Sequence, residues 1–591
     1  MFSRDSENSS NIDLLFDLWR LINFKRKKQI IILMLLTTIS SLSEILSLVT
    51  VIPFLQVLIQ PEEIYKFKIV EILLNYFGLN NSDQILFSVT TLFVGSAILT
   101  ALIRLSNLWV SNLIAAKIGI DFSYEAFKVI LYKPYKFHIQ RNSSETINTT
   151  TQEISSTVEV ISLFLSLITS SLIVAGLVFG LILINWQIAI FSILLFSFSY
   201  FLIAYFTRKI LVKNSKYILR NSISLIKAAQ EGLGSIKDVL IHNAHKTYLD
   251  LYRSSDRPVR LKQAENASIG GSPRFLIEAI GIILISLLAY FLTTKGTPKY
   301  EIISSLGTLA LAAQRLLPAM QNVYTSWASI KSNIASVNKV TKILNSSKNI
   351  NLNNFSNKRI GFKNEIKFEN VSFRYSKDTP WVLNSINLTI KKGEKVGIVG
   401  ETGCGKSTFL DIMMGLLEPT KGKIYVDNIC ITCKSENNLT QSWRNLIAHV
   451  PQDIYLSDTT VLNNIAFGVE NNQINFDKVR LSARKAKIAN FIDSKPQGFR
   501  SIVGERGISL SGGQIQRIGI ARALYKDLDL LILDEATSSL DKDTEDKVMK
   551  NLLKLKNNIT IIAIAHRTST LSNCDRVFKF ENAELNQVKN Y

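Results

Sequence analysis

The chain has 591 residues, too many for one hydrophobic core, so two or more domains are expected. Its mean hydropathy of +0.18, with 47% hydrophobic residues, excludes a wholly water-soluble protein and places part of the chain in lipid. The net charge of +21 fits the Lys and Arg excess of cytoplasmic loops. No stacking-aromatic or base-reading motif accompanies that charge, so nucleic acid is not an expected partner.

Residues 1–24 mix polar and apolar types, and the basic run Lys25-Arg26-Lys27-Lys28 precedes a long apolar stretch without a small-residue cleavage site. This reads as a cytoplasmic N-terminus with no cleavable signal peptide. Six apolar stretches follow, approximately Gln29–Ile59, Ile85–Leu108, Val158–Ile184, Ile188–Phe206, Phe275–Leu292 and Ile302–Tyr324. Most reach the ~20 residues that a helix needs to span a bilayer. Only Asn185, Trp186 and Gln187 separate the third from the fourth, which predicts a tight hairpin with an interfacial Trp. The second-to-third and fourth-to-fifth connections are long and basic, for example at Lys117, Lys128, Lys133, Arg141, Arg208, Lys213 and Arg220, and so are assigned to the cytoplasm. Apolar residues at helical spacing around Ala116–Leu131 and Leu219–Leu240 predict helices that continue out of the bilayer and return.

The predicted domains are a transmembrane domain over 1–345, an Asn-, Ser- and Lys-rich linker over 346–365 and an α/β nucleotide-binding domain over 366–591. In the last, strands at Ile366–Phe368, Val396–Val399, Lys423–Val426, Leu446–Val450, Leu530–Leu533 and Thr560–Ala565 alternate with helical segments, the pattern of a mostly parallel sheet. The four cysteines, Cys404, Cys430, Cys433 and Cys574, all fall in the C-terminal part. Cys430 and Cys433 form a lone CxxC, too few ligands for zinc, and read as a chance spacing in a reduced compartment.

Gly400-Glu401-Thr402-Gly403-Cys404-Gly405-Lys406-Ser407, followed by Thr408, fits a P-loop between a strand and a helix. Glycines let backbone N–H groups turn around phosphate oxygens, and the helix N-terminus favours anions. Lys406 is positioned for the β and γ phosphates and Ser407 for Mg²⁺. Leu530–Leu533 ends in Asp534, a Mg²⁺ ligand through water, and Glu535, a general base for the attacking water.

Leu510-Ser511-Gly512-Gly513-Gln514 resembles the signature of ABC ATPases. In that family it caps nucleotide held by the opposite subunit, so the resemblance implies a head-to-tail dimer with Ser511, Gly513 and Gln514 at the phosphates. Further pieces resemble the family in order. Tyr375 looks like the aromatic that stacks on adenine, and a free aromatic just upstream of the P-loop suits that task. Gln452 looks like the Mg²⁺-sensing glutamine of the loop that touches the membrane domain. Gly504-Glu505-Arg506-Gly507 resembles the exporter motif near coupling helices, and Ser539-Leu540-Asp541 the dimer-contact loop. His566 resembles the γ-phosphate switch histidine.

Six helices before one such ATPase resemble the exporter half-transporter layout, which implies two copies, ATP and Mg²⁺, a bilayer and no nucleic acid. Segments near Phe137–Ser144 and Gly232–Ile241 correspond to its coupling helices. Charged residues inside hydrocarbon mark function or pairing. Here they are Glu44, Arg104, Arg274, Glu278 and Arg315, with Arg274 and Glu278 at i, i+4. The excess of arginine suggests a cavity for anions, since guanidinium forks match phosphate oxygens. The stretches Gly271–Gly281 and Ala313–Ala319 resemble bacterial lipid-linked oligosaccharide flippases. This implies a polyprenyl-pyrophosphate cargo, contacted by Arg104, Arg274 and Arg315, in the bacterial cytoplasmic membrane. A lipid, peptide or multidrug exporter, an ATP-gated channel and a soluble ABC ATPase are the alternatives.

Overall fold

In hydrocarbon each backbone N–H and C=O must be paired within its own segment, and the apolar stretches accordingly fold as helices. The computed structural model of the chain describes residues 17–50, 54, 82–184, 186–294, 299–346, 360–433, 437–537, 539–553, 558–565, 571 and 574–588. It forms two compact units, one of Met1–Lys133 and His138–Ile350, the other of Pro134–Phe137 and Asn351–Tyr591. Most of the expected linker lies outside the described residues.

The long helices of the first unit are α1 (Phe24–Val49), α2 (Ser82–Leu131), α3 (Ile154–Ile184), α4 (Trp186–Gly234), α5 (His245–Thr294) and α6 (Lys299–Ser332), followed by α7 (Ile334–Asn345). Helices α2, α4 and α5 run for 50, 49 and 50 residues. At 1.5 Å per residue that is about 75 Å, over twice a ~30 Å hydrocarbon core, so each extends well beyond a bilayer. Among the described residues four segments are long and apolar enough to cross: Phe24–Ser47, Leu86–Leu131, Ser143–Ile182 and His245–Thr294. The fourth and sixth predicted stretches fall in α4 and α6, both continuous helices in which several side chains lie outside the described set. Helix α1 ends at Val49, short of the expected Ile59; of the intervening residues only Thr50 and Phe54 are described. On α2, Ile98, Leu102, Leu105 and Trp109 are exposed, an apolar surface that suits lipid rather than water.

Small and hydroxylated residues bring α1, α2 and α3 close. Thr37 donates to the Asn107 side chain at 3.2 Å, and Thr100 to the Ser43 carbonyl at 3.0 Å. A Cβ at Gly176 of α3 would stand 2.3 Å from Ser41 Oγ of α1, so glycine is required for that approach. Short helices stand in both long loops: Tyr135–Ile139 and Ser143–Asn148 in one, Ile236–Ile241 in the other. A π-helical turn, Thr149–Glu153, leads into α3.

The second unit holds two sheets. Strands β3 (Lys395–Gly400), β6 (Ile447–Val450), β7 (Leu530–Asp534), β8 (Thr560–Ile564), β9 (Arg576–Glu581) and β10 (Glu584–Val588) form a six-stranded sheet in the order β10-β9-β3-β8-β7-β6. It is parallel except for the β9–β10 hairpin. Strand β7 is buried throughout Leu530–Leu533, which is why it reads as an unbroken apolar run. Strands β1 (Glu365–Phe373), β2 (Leu383–Lys391), β4 (Lys421–Val426) and β5 (Ile429–Cys430) form a separate antiparallel sheet, ordered β2-β1-β4-β5, which the sequence reading did not anticipate. The reading of Cys430 and Cys433 is also corrected. The turn after β5 brings their Cα atoms within 5.7 Å, a distance a disulfide spans, and the two are bonded.

Candidate nucleotide site and intramembrane charge cluster

Strand β3 lies between β8 and β9 and delivers the P-loop at its C-terminal end, where an α/β sheet presents ligand sites. The loop turns into helix α8 (Lys406–Met413) through Gly405, whose φ is +113°. A Cβ there would lie 2.9 Å from the Val382 carbonyl oxygen, so both backbone and space demand glycine. Lys406, 7% exposed, donates its ammonium to the carbonyls of Gly400 at 2.7 Å and Glu401 at 2.8 Å. That curl holds a positive charge over the loop whose N–H groups start α8. Tyr375 is not the free aromatic the sequence suggested. Its hydroxyl lies 3.0 Å from Thr408 Oγ1 in α8, and its ring packs edge-on against Phe373.

Asp534 ends β7 and accepts a hydrogen bond from Ser407. Burial, then the neighbouring Glu535 carboxylate, raise its pKa, while Lys406 and Ser407 oppose the shift. Glu535 leaves the sheet with φ at +48°, a left-handed conformation unusual for glutamate, and its N–H donates to the Ile564 carbonyl at 3.1 Å. Gln452 donates to Glu535 Oε2 at 2.9 Å. The P-loop serine, Asp534, Glu535 and Gln452 thus form one connected group of side chains carrying oxygen and amide atoms. Asp411 was missed by the sequence reading. It follows Ser407 by four residues on the same helix, and burial with the Asp534 charge pushes its carboxyl up to about 6. The i, i+4 spacing to a phosphate-loop serine was the available signal.

The signature residues group around a different helix N-terminus, that of α9 (Gly512–Tyr525). Ser511 Oγ accepts from the Gln514 N–H, and Gln514 Oε1 accepts from the Ser511 N–H at 2.9 Å, a reciprocal cap. Gly513 lies against the Ser539 backbone, and the Ser539 N–H donates to Gln516 Oε1 at 3.0 Å. Asp541 caps α10 (Lys542–Leu553) through the Thr544 N–H, which holds its carboxyl below the usual range. In Gly504-Glu505-Arg506-Gly507, Gly504 and Gly507 both have φ of +76° and Arg506 has φ of +53°. His566 lies outside the described residues.

In the first unit, Glu44 of α1 is 2% exposed and receives two arginines. Arg104 of α2 reaches Oε1 at 3.0 Å, and Arg315 of α6 reaches Oε2 at 3.1 Å. Arg315 also donates to Ser47 Oγ at 2.8 Å. One carboxylate between two guanidiniums leaves one positive charge. Arg274 stays apart, paired with Glu278 of its own helix at 2.7 Å. Glu44 is the hub that sequence alone does not reveal, because its partners come from separate helices.

A family model described as ABC transporter matches residues 383–538. The ATP-dependent lipid A-core flippase of Ralstonia nicotianae is 25% identical over 503 residues, covering 85% of this chain and 84% of that protein. That of Coxiella burnetii is 29% identical over 480 residues, covering 80% and 79%. The heterocyst differentiation ATP-binding protein HepA of Nostoc is 36% identical over 309 residues, 52% of this chain and 49% of that one. The structure of a bacterial Atm1-family ABC exporter with ATP bound has the same fold, with a TM-score of 0.76, 21% identity and coverage of 95% and 94%.

Proposed function

We propose that this chain, an ABC half-transporter of the exporter type that couples ATP hydrolysis to transport across a bacterial membrane, flips a lipid-linked, polyprenyl-pyrophosphate oligosaccharide across the cytoplasmic membrane. The observation that carries the cargo reading is the convergence of Arg104 and Arg315 on Glu44, which leaves an uncompensated guanidinium charge among α1, α2 and α6. A pyrophosphate bridge offers oxygens in the geometry that guanidinium forks bind best. The relatives named as lipid A-core flippases support an anionic glycolipid in general. The basic loops support a cytoplasmic N-terminus and ATPase domain.

The working unit on this reading is a homodimer with two composite ATP sites. Lys406 and the P-loop N–H groups hold the phosphates, Tyr375 lies beside the base, and Ser511, Gly513 and Gln514 of one copy close on nucleotide held by the other. Mg²⁺ fits the oxygen-rich set Ser407, Gln452 and Asp534, and would neutralise developing phosphate charge. Glu535 orients and deprotonates the attacking water, with His566 contributing at the γ phosphate. Nucleotide-driven closure reaches the helices through the short helices of the long loops, giving alternating access.

The test is reconstitution in liposomes with ATP and a polyprenyl-pyrophosphate glycan, scoring leaflet exposure. Arg315→Ala and Arg104→Ala are expected to slow flipping; unchanged flipping by both folded variants removes the pyrophosphate reading. A lipid A-core cargo is the second reading, favoured by the names of the relatives. Greater ATPase stimulation by lipid A-core than by the polyprenyl glycan would select it.

A further inference from the structure

We propose that Cys430 and Cys433 are a reversible redox modification site, opened and re-formed by exchange with a dithiol, and that its state is passed to the P-loop helix α8; the coupling rests on the reading of the P-loop as an ATP site. Cys430 ends β5, and the two cysteines are bonded three residues apart. Both are half-buried, so a reductant thiolate has access to the bridge. A bridge across so short a loop removes little entropy from the unfolded chain, and its effect falls on the structure around it.

That structure leads directly to the P-loop helix. Ile431, inside the bridge, is 2% exposed and belongs to the same core as Trp443, Phe409 and Met413. The Ile424 N–H of β4 donates to Thr432 Oγ1 at 3.1 Å, and Thr440 Oγ1 donates to the Ile431 carbonyl at 2.8 Å. Thr440 lies on the helix Asn437–Asn445. The bridge therefore fixes the segment on which this helix leans. At its other end the helix supplies the donors that close α8. Trp443 is fully buried, and its Nε1 donates to the Met413 carbonyl at 2.8 Å. Arg444 donates to the Gly415 carbonyl just beyond. The last carbonyls of a helix have no partner within it, so α8 depends on these two side chains. The approach is close: a Cβ added at Gly415 would stand 2.6 Å from Thr440 Cγ2. Helix α8 has only eight residues and begins at Lys406 and Ser407. A disturbance at its C-terminal end thus reaches the phosphate loop through one short rigid element.

The exchange chemistry balances. One thiolate of the dithiol attacks a bridge sulfur, breaking the Cys430–Cys433 bond and forming a mixed disulfide. Its second thiolate then displaces the protein sulfur. The reductant leaves as its own disulfide, and two electrons and two protons remain on Cys430 and Cys433 as thiols. A small-molecule disulfide drives the reverse. Thiol reductants in a cytosol keep accessible bridges open, so the bonded form is the one that an oxidising challenge produces. The bonded form steadies the Asn437–Asn445 helix against α8 and holds ATP more tightly; the reduced form loosens both.

The test uses the full-length protein in nanodiscs, taken through oxidised, dithiothreitol-reduced and glutathione-disulfide-reoxidised states of one preparation. Amide hydrogen exchange over 437–445 and the dissociation constant of a fluorescent ATP analogue are read in each state. Reduction is expected to speed exchange and to raise the constant about fivefold, and reoxidation to reverse both. The Cys430→Ser/Cys433→Ser variant is expected to stay at the reduced values throughout. Thr440→Val keeps both cysteines and cuts the link to Ile431. It is expected to shrink the response, and it covers the case in which the double variant fails to fold. A bridge that dithiothreitol does not open in the folded protein overturns the proposal. So does a full response in the double variant, which would belong to Cys404 or Cys574, or a full response in Thr440→Val. ATP affinity that is intact but indifferent to redox state removes the coupling alone, whereas absence of nucleotide binding in every state removes the ATP-site reading and the coupling with it.

Discussion

Gln452 donates its side-chain amide to the carboxylate of Glu535 at 2.9 Å. The glutamine read as a Mg²⁺ sensor is thus also the partner of the proposed general base. Glu535→Gln is expected to lower ATP hydrolysis by about 10²–10⁴-fold while leaving ATP binding intact. Gln452→Ala, which removes one partner of the base and leaves the carboxylate in place, is expected to cost less. Phosphate release and nucleotide binding, measured on the same preparations, separate the two effects. Loss of ATP binding in Glu535→Gln would contradict the assignment.

Cys404 sits half-buried in the P-loop, while burial pushes the Cys574 thiol up to about 11. Maleimide is therefore expected to label Cys404 and spare Cys574 at neutral pH, since the thiolate is the nucleophile. Cys430 and Cys433 are consumed by their disulfide and label only after reduction. Peptide mass mapping checks all four sites, and ATP is expected to protect Cys404.

Two groups of the ATPase domain give stability opposite dependences on pH. Burial lowers the His449 pKa to about 4 from an ordinary 6.5, so the unfolded chain binds the extra proton and His449 stabilisation is lost as pH falls from about 6.5 to about 4. The Asp411 carboxyl is raised from 3.8 to about 6, so the folded state binds the extra proton and this group destabilises as pH rises through that window. Asp411→Asn is expected to raise the melting temperature at pH 7–8 relative to wild type. His449→Gln is expected to flatten the acid limb. Melting curves across pH 4–8 test both signs.

Glu44 joins three helices through two arginines, so its loss leaves both cations unpaired. Glu44→Ala is expected to destabilise the first unit by about 2 kcal/mol, below the ~3–5 kcal/mol of a fully buried pair, because Arg104 and Arg315 are 59% and 28% exposed. Arg315→Ala is expected to cost more than Arg104→Ala, since Arg315 also bonds Ser47 and is less exposed. Melting in detergent is the measurement, and an unchanged melting temperature in Glu44→Ala would rule out a structural role for the hub.

The candidate nucleotide site was legible because its parts are short and local. A P-loop needs glycines, a lysine and a serine within one turn, and an interior strand such as Leu530–Leu533 must be apolar on both faces. The antiparallel sheet was missed because β2, the strand that pairs with β1, mixes buried and exposed positions and carries no unbroken apolar run. The Glu44 hub and the Ser407–Asp534 bond were illegible for another reason. Helix crossings and sheet register create them, and neither leaves a spacing in the chain. Arg274 shows the converse: its i, i+4 partner Glu278 was visible in the sequence, and the structure keeps them together.

The left-handed backbone at Glu535 places durability and turnover in opposition at one position. Glycine would relax that conformation by about 1 kcal/mol and so raise the melting point, yet it would delete the proposed base. A chain kept only for robustness would carry glycine there. On the proposed assignment the glutamate is a small permanent load on the fold, maintained in return for its role as the base.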